Sequence, residues 1–427
     1  MARIASWAER RSAPVVATVC MLVLVMAFSL FGHRLLRVGG ASLAAPGDLW
    51  SLASSSLAIL HGHFGQVYVR NGALTSPPAL EIALAPVMAF GQLVGLAPHL
   101  RTGGEPLSMW FVLGPAAVVL ASTVLFALDA VARAWRFSER ARLALAMVSA
   151  LGVANVAGGW GHPEDCVAVA FVIWSALTME REGVPGAPRA ALLLGIGIAF
   201  QPLALLGVVP ILARLSWRDA TRLWWRLPLP SAIVLLPTLL AEPHQVVFVV
   251  VRQPFMPKWN SFTPLTHLAP VLAPGVDGGG PTRLVAMVLA AGLGVLVCRR
   301  RHDLPTVLTM VAVSFMLRVL LETEMNWYYL WPVPALCLAL SLRRSRPRFG
   351  LCAAAMIASA VLGQGRVHHI VVWWPTLMAL GVIMVMSAAP SPRRWLDQSA
   401  VRGGRRQTVR PVEFGAMVNA VEAGPRE

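Results

Sequence analysis

The chain has 427 residues, 57% of them hydrophobic and 13% charged, with a mean hydropathy of +0.66 and a net charge of +16. So apolar a composition excludes a soluble globule, and its repeated long apolar runs mark a polytopic membrane protein. The positive charge sits in short arginine clusters between those runs, as in cytoplasmic loops, with no aromatic-interleaved basic face to stack bases. Nucleic acid is therefore excluded as a partner.

In chain order, Arg3, Arg10 and Arg11 precede an apolar run from Pro14 to Phe31 that has no small-residue cleavage site close behind it. That is the pattern of a retained signal anchor, with residues 1–13 cytoplasmic. The next segment, Gly40 to Phe90, is the first placed beyond the membrane. Asp48 follows Pro-Gly and opens a run of helical periodicity, in which Leu49, Leu52, Ala53, Leu57 and Leu60 share one stripe and Asp48, Ser51 and Ser55 the other. Such a helix is expected to lie along a membrane surface. It ends at His61-Gly62-His63 and passes Tyr68 and Ser76-Pro77-Pro78. Pro78 to Leu96, broken by Pro86, Gly91 and Gly95 and carrying Glu81, reads as a re-entrant or surface helix. As a full crossing it would turn Arg133, Arg136, Arg140 and Arg142 outward.

Further spans are expected over Leu107–Val131, Leu143–Val156, Val167–Met179, a short pair Ala190–Phe200 and Leu203–Leu212 hinged at Gln201-Pro202, and Leu227–Ala241. A second outer loop, residues 242–283, carries Arg252 and Lys258. Five more spans follow over Leu284–Val297, Leu304–Leu321, Tyr328–Leu342, Gly350–Leu362 and Ile370–Ala388. The expected architecture is all-α, with about twelve transmembrane helices and both termini cytoplasmic. Residues 14–388 form the membrane domain, and residues 389–427 read as a basic, disordered cytoplasmic tail.

The ionisable groups sort to one side. Asp48, His61, His63, Glu81, His162, Glu164, Asp165, Lys258, Arg318, Glu322, Glu324 and Arg366 fall at outer positions, and few remain at mid-membrane. A proton- or ion-coupled transporter keeps its charges near the midplane, so this placement favours chemistry at the outer surface. Each group also has a plainer reading. Asp48 after Pro-Gly makes a good helix cap, and Gly161-His162-Pro163-Glu164-Asp165 could be a turn in which an acid caps the following span. His61 and His63 form an H-x-H pair without a third ligand, so no metal site is indicated. The five cysteines lack C-x-x-C spacing and read as packing residues. The single lysine, Lys258, beside many arginines suggests a GC-rich bacterial genome.

Four motifs in this order, GDLWSLASSSLAILHGHFGQVY with its downstream SPPAL, WGHPED, LLLGIGIAFQPLALLGVVPILAR and LRVLLETEMNWYYLWPVP, resemble the GT-C membrane glycosyltransferases. The likeness is to the actinobacterial mannosyltransferase-like branch that uses polyprenyl-phosphate sugars, and it covers roughly Pro14 to Ser387. It differs at Ser76, where the family commonly has an aromatic, and at Gln201, where it commonly has lysine. The resemblance implies a multi-pass protein of the bacterial plasma membrane that transfers a sugar, mannose or arabinose, to an envelope glycolipid or polysaccharide. It also implies Asp48 as base, assisted by Glu164 and Asp165. Sugar or phosphate contacts would come from His61, His63, Tyr68, His162, Arg252, Lys258, Arg318 and Arg366, with no cofactor besides the lipid-linked donor. A transporter or lipid flippase, or a non-catalytic scaffold of the same fold, are the alternatives. A transporter would move solute and tolerate loss of Asp48, whereas a scaffold would co-purify with a partner.

Overall fold

The computed structural model describes residues 11–35, 47–68, 76–96, 107–213, 215–249, 261–266, 280–298, 303–364 and 370–390. Nearly all of these belong to one unit, Met1–Ala389; a second unit, Pro390–Glu427, lies almost wholly outside the described residues, as does the expected tail. The described chain is helical, apart from one antiparallel pairing of two-residue strands.

The helices keep the expected order. Helix α1 is Ser12–Leu35, α2 Gly47–Leu60 and α3 Ala79–Leu93. The second expected span breaks at Ser122 into α4, Leu107–Ala121, and α5, Thr123–Ala134. Helix α6 is Glu139–Ala154, α7 Pro163–Glu182, α8 Ala187–Phe200 and α9 Leu205–Leu212. Helix α10, Trp217–Leu223, leads through a single 3-10 turn into α11, Leu229–Ala241, and the short α12, Pro243–Val247. The last five are α13 (Gly280–Cys298), α14 (Leu304–Leu320), α15 (Pro332–Arg344), α16 (Arg346–Gln364) and α17 (Ile370–Ala388).

Three helical stretches, Val112–Ala134, Glu139–Trp160 and Trp217–Ala241, are long and apolar enough to cross a membrane. Gln201-Pro202 separates the shorter apolar helices α8 and α9, and a 3-10 turn at Trp327–Leu330 precedes α15. Helix α7 is the spine. It packs against α8 most extensively, and also against α4, α5, α9 and α14, and its residues from Pro163 to Ala170 are all buried. Gly195 lets the backbone at Arg226 and Leu227 approach α8, where an added Cβ would meet either carbonyl oxygen at 2.7 Å.

One element departs from its expected role. The periodicity of α2 turns a polar stripe outward, yet Ser55 is fully buried, and Leu60, on the expected apolar stripe, is exposed. The reason is the returning segment after His63. Ser55 donates a hydrogen bond to the Val67 carbonyl at 2.8 Å, and Ser56 donates to Leu52 within the helix. Burying both serines is tolerable because each hydroxyl is satisfied.

The two ends of the bundle differ in chemistry. At one end Asp129 is buried between Arg11 at 3.1 Å and Arg142 at 2.6 Å, tying α1, α5 and α6 together. Six residues on from Asp129, the Trp135 ring lies under the Arg343 guanidinium, 4.9 Å from centroid to cation. From Arg142, α6 and its extension run twenty residues to His162, roughly 30 Å at the helical rise and about the depth of a hydrocarbon core. The remaining ionisable cluster lies at that far end.

Candidate active site

The centre is His162, and its position is set by local sequence. Helix α6 widens into a π turn over Asn155–Trp160, and Gly161 then takes φ +82°, a left-handed conformation that favours glycine. Pro163 occupies the first turn of α7, where its missing N–H costs nothing. The ring of His162 is thereby delivered between two acids from different parts of the chain. Its Nε2 meets Asp48 Oδ2 at 3.0 Å, and its Nδ1 meets Glu164 Oε1 at 2.6 Å. Beneath it, Tyr328 stacks on the imidazole at 4.0 Å between centroids and 18° between planes. Trp160 and Tyr329 lean on Tyr328 in turn, Tyr329 edge-on.

A histidine bridging two carboxylates is an imidazolium. Burial opposes its charge, but Glu164 and Asp48 outweigh that and hold its pKa well above the ordinary histidine value. Burial likewise works against the Asp48 carboxylate, and the hydrogen bond and charge of His162 overcome it, so its pKa lies below the usual value. Asp48 is therefore ionised and oriented, and its side chain remains 47% exposed at the mouth of the cluster. By contrast, Glu164 Oε2 is buried without a hydrogen-bond partner among the described residues.

Behind this bridge lie further charges. Asp165, the next residue of α7, is buried within electrostatic reach of Arg318 and within hydrogen-bonding reach of Gln201 at the α8–α9 hinge. Arg318 Nε donates to Glu322 at 2.8 Å, and Arg283 Nε donates to the same carboxylate at 2.9 Å. Glu322 is fully buried, and it thus holds the arginines of α13 and α14 as a pair. The Arg318 guanidinium also rests over Tyr329, 4.9 Å from the ring centroid. Residues 261–266 are fastened at this point. Thr263 donates to the Glu322 carbonyl at 2.7 Å, Thr266 donates to that of Thr323, and β1 (Ser261–Phe262) pairs with β2 (Glu324–Met325) in the register Ser261↔Met325.

Asp48, His162, Glu164, Asp165 and Arg318 are brought together. Both ring nitrogens of His162 are engaged, Nε2 by Asp48 and Nδ1 by Glu164, so the ring orients Asp48. His61 and His63 lie elsewhere. They come after the far end of α2, about 20 Å along the helix from Asp48, exposed, with His61 facing Gln92 at 3.2 Å. Tyr68 is buried and donates its hydroxyl to the Ser76 carbonyl at 2.9 Å, bracing the loop. Arg252, Lys258 and Arg366 lie outside the described residues.

Two participants are not among the site residues expected from the sequence. Arg283 carries no local signal, since it lies in an ordinary apolar helix. Glu81 of α3 is fully buried and neither carboxylate oxygen has a hydrogen-bond partner among the described residues. It lies close enough to Glu164 and Tyr68 to interact with both electrostatically. An acid inside an apolar run was its visible signal. Among the described residues no group of three or more histidine, cysteine or acidic side chains is arranged to hold a metal, and Cys20, Cys166, Cys337 and Cys352 are free thiols. Compared with protein-family models and with curated proteins, the sequence finds no match.

Proposed function

We propose that the protein is a GT-C-type glycosyltransferase of a bacterial plasma membrane, with about twelve spans and both termini cytoplasmic. It moves a sugar, mannose or arabinose, from a polyprenyl-phosphate donor to an envelope glycolipid or polysaccharide on the outer face. The observation that carries this reading is the bridge Asp48–His162–Glu164 at the mouth of a cluster that also holds an arginine pair.

In the transfer step the acceptor hydroxyl oxygen attacks the anomeric carbon, the bond from that carbon to the phosphate oxygen breaks, and its electron pair stays on the departing phosphate. The hydroxyl proton passes to Asp48, whose Oδ2 is fixed by His162 and whose Oδ1 is the accepting atom. Attack opposite the leaving group inverts the anomeric centre. Glu164 is a positioning residue that acts through His162. Arg318 and Arg283 supply the positive charge that a departing phosphate requires, arginine being suited to bidentate contact. A donor already activated as a lipid phosphate needs no nucleotide-sugar metal motif.

The test is mass spectrometry of envelope glycolipids and polysaccharides from a deletion strain complemented with wild type or Asp48→Asn. Wild type restores a missing glycoform, and the variant, inserted at the same level, does not, since loss of a general base costs about 10²- to 10⁴-fold. Full restoration by Asp48→Asn overturns the assignment.

A further inference from the structure

The segment from Trp217 to Arg226 takes no part in the candidate active site. Among the described residues, the tryptophans that stand exposed are Trp217 at 82%, Trp224 at 68% and Trp225 at 46%. Between them Arg218 and Arg222 are also exposed, four residues apart on one side of α10. Asp219, on the same helix, accepts from the Ser216 hydroxyl at 2.6 Å, and no salt bridge joins it to either arginine among the described residues. Arg226 lies against the Trp225 ring, 5.0 Å from its centroid.

The placement of the segment says what covers it. Trp217–Ala241 is one of the stretches long and apolar enough to cross a membrane, and α11 presents Ile233, Leu236 and Leu240 outward. Its far end, Glu242, touches the loop after α2, where a Cβ on Gly65 would meet Glu242 Cγ at 3.1 Å. Counted back from Glu242 at the helical rise, Trp225 lies about 25 Å away and Trp217 about 37 Å. These distances bracket the opposite edge of a hydrocarbon core about 30 Å thick. Exposed indoles favour that boundary, and exposed guanidiniums beside them favour a negative surface.

We propose that Trp217–Arg226 is a seat for anionic phospholipid in the leaflet opposite Asp48. The indoles enter the headgroup boundary, and Arg218, Arg222 and Arg226 hold lipid phosphates. The proposal does not depend on sugar transfer.

The test uses the full chain reconstituted in bilayers, with tryptophan quenching by brominated phosphatidylglycerol compared with brominated phosphatidylcholine. The quenching signal of the seat is defined by subtracting that of a Trp217→Phe/Trp224→Phe/Trp225→Phe variant. Wild type is expected to prefer the anionic lipid. Each arginine changed to glutamine lowers the relative association constant by roughly fivefold, whereas changing all three to lysine preserves the preference. Equal quenching by the two lipids in wild type overturns the proposal, and so does a preference unchanged in the triple glutamine variant. If the triple phenylalanine variant fails to insert, the single variants Trp217→Phe, Trp224→Phe and Trp225→Phe supply the subtraction.

Discussion

His162 and Asp48 are 114 residues apart in the chain and meet at 3.0 Å, which makes the loop after α6 and the start of α2 a single chemical unit. The contact joins an imidazolium to an acid that stays half open to its surroundings. It gives a pH dependence with a definite sign. His162 has a raised pKa, so its part of the bridge is complete below the ordinary histidine value of about 6.5 and is lost as pH climbs through the folded value. Asp48 has a lowered pKa, so its part is complete above about 3.9 and is lost as pH falls through the folded value. If the proposed sugar transfer runs through this bridge, it should be flat in proteoliposomes between about pH 5 and 6.5. A steep change inside that interval would show that the bridge does not govern activity.

Replacing His162 by glutamine keeps a donor beside one acid but removes the charge. A hydrogen bond to a charged group contributes about 1.5–3 kcal/mol, so kcat should fall roughly 10- to 100-fold with little change in donor KM. Glu164→Gln should act in the same direction, since it reaches Asp48 only through the ring. Steady-state kinetics on the two variants check this, and a defect confined to KM would contradict it.

Glu81 is a buried carboxyl with no hydrogen-bond partner among the described residues, a state that costs about 1–3 kcal/mol. Glu81→Leu should raise the thermal midpoint in detergent. If the residue serves the neighbouring acids, the same variant loses transfer. A lower midpoint would mean that Glu81 is satisfied in the folded protein.

Gly152 of α6 lies under the fully buried Trp331, where an added Cβ would come within 2.1 Å of the indole. A ring this buried must shift to make space, so Gly152→Ala should destabilise by about 1–3 kcal/mol. Trp331→Leu should relieve part of that loss in the double variant. Thermal unfolding of the three variants measures the coupling, and strict additivity would argue against the contact.

Asp129 holds two arginines at the other end of the bundle. Arg11 is partly exposed, so the cost of Asp129→Ala falls below the 3–5 kcal/mol typical of breaking a fully buried pair, at about 2 kcal/mol. The loss should appear in melting temperature and insertion yield, with kcat unchanged in the protein that inserts.

Helix order and the local features of the site were legible in the sequence because they depend on near neighbours. Pro46-Gly47-Asp48 starts a helix, and Gly161-His162-Pro163 ends one and begins another. Arg318 and Glu322 stood among the outer ionisable groups of the sequence, but their pairing emerges only in the fold. What the sequence did not reveal depends on the return of distant segments. Ser55 looked like a solvent-facing position because periodicity weighs only polarity, and the carbonyl that satisfies it belongs to Val67. The resemblance put His61 and His63 among the substrate contacts, and helix α2 sets them about 20 Å along its axis from Asp48. Arg283 joined the cluster through Glu322, a partner 39 residues away.

Because the bridged imidazole has both nitrogens engaged and a tyrosine ring pressed on one face, it is poorly placed to react with electrophiles. Acylating reagents such as diethyl pyrocarbonate should label exposed histidines such as His61, His63 and His244 before it. Inactivation that tracks this early labelling would report on the exposed surface, and the bridging ring should yield only once the fold around it has loosened.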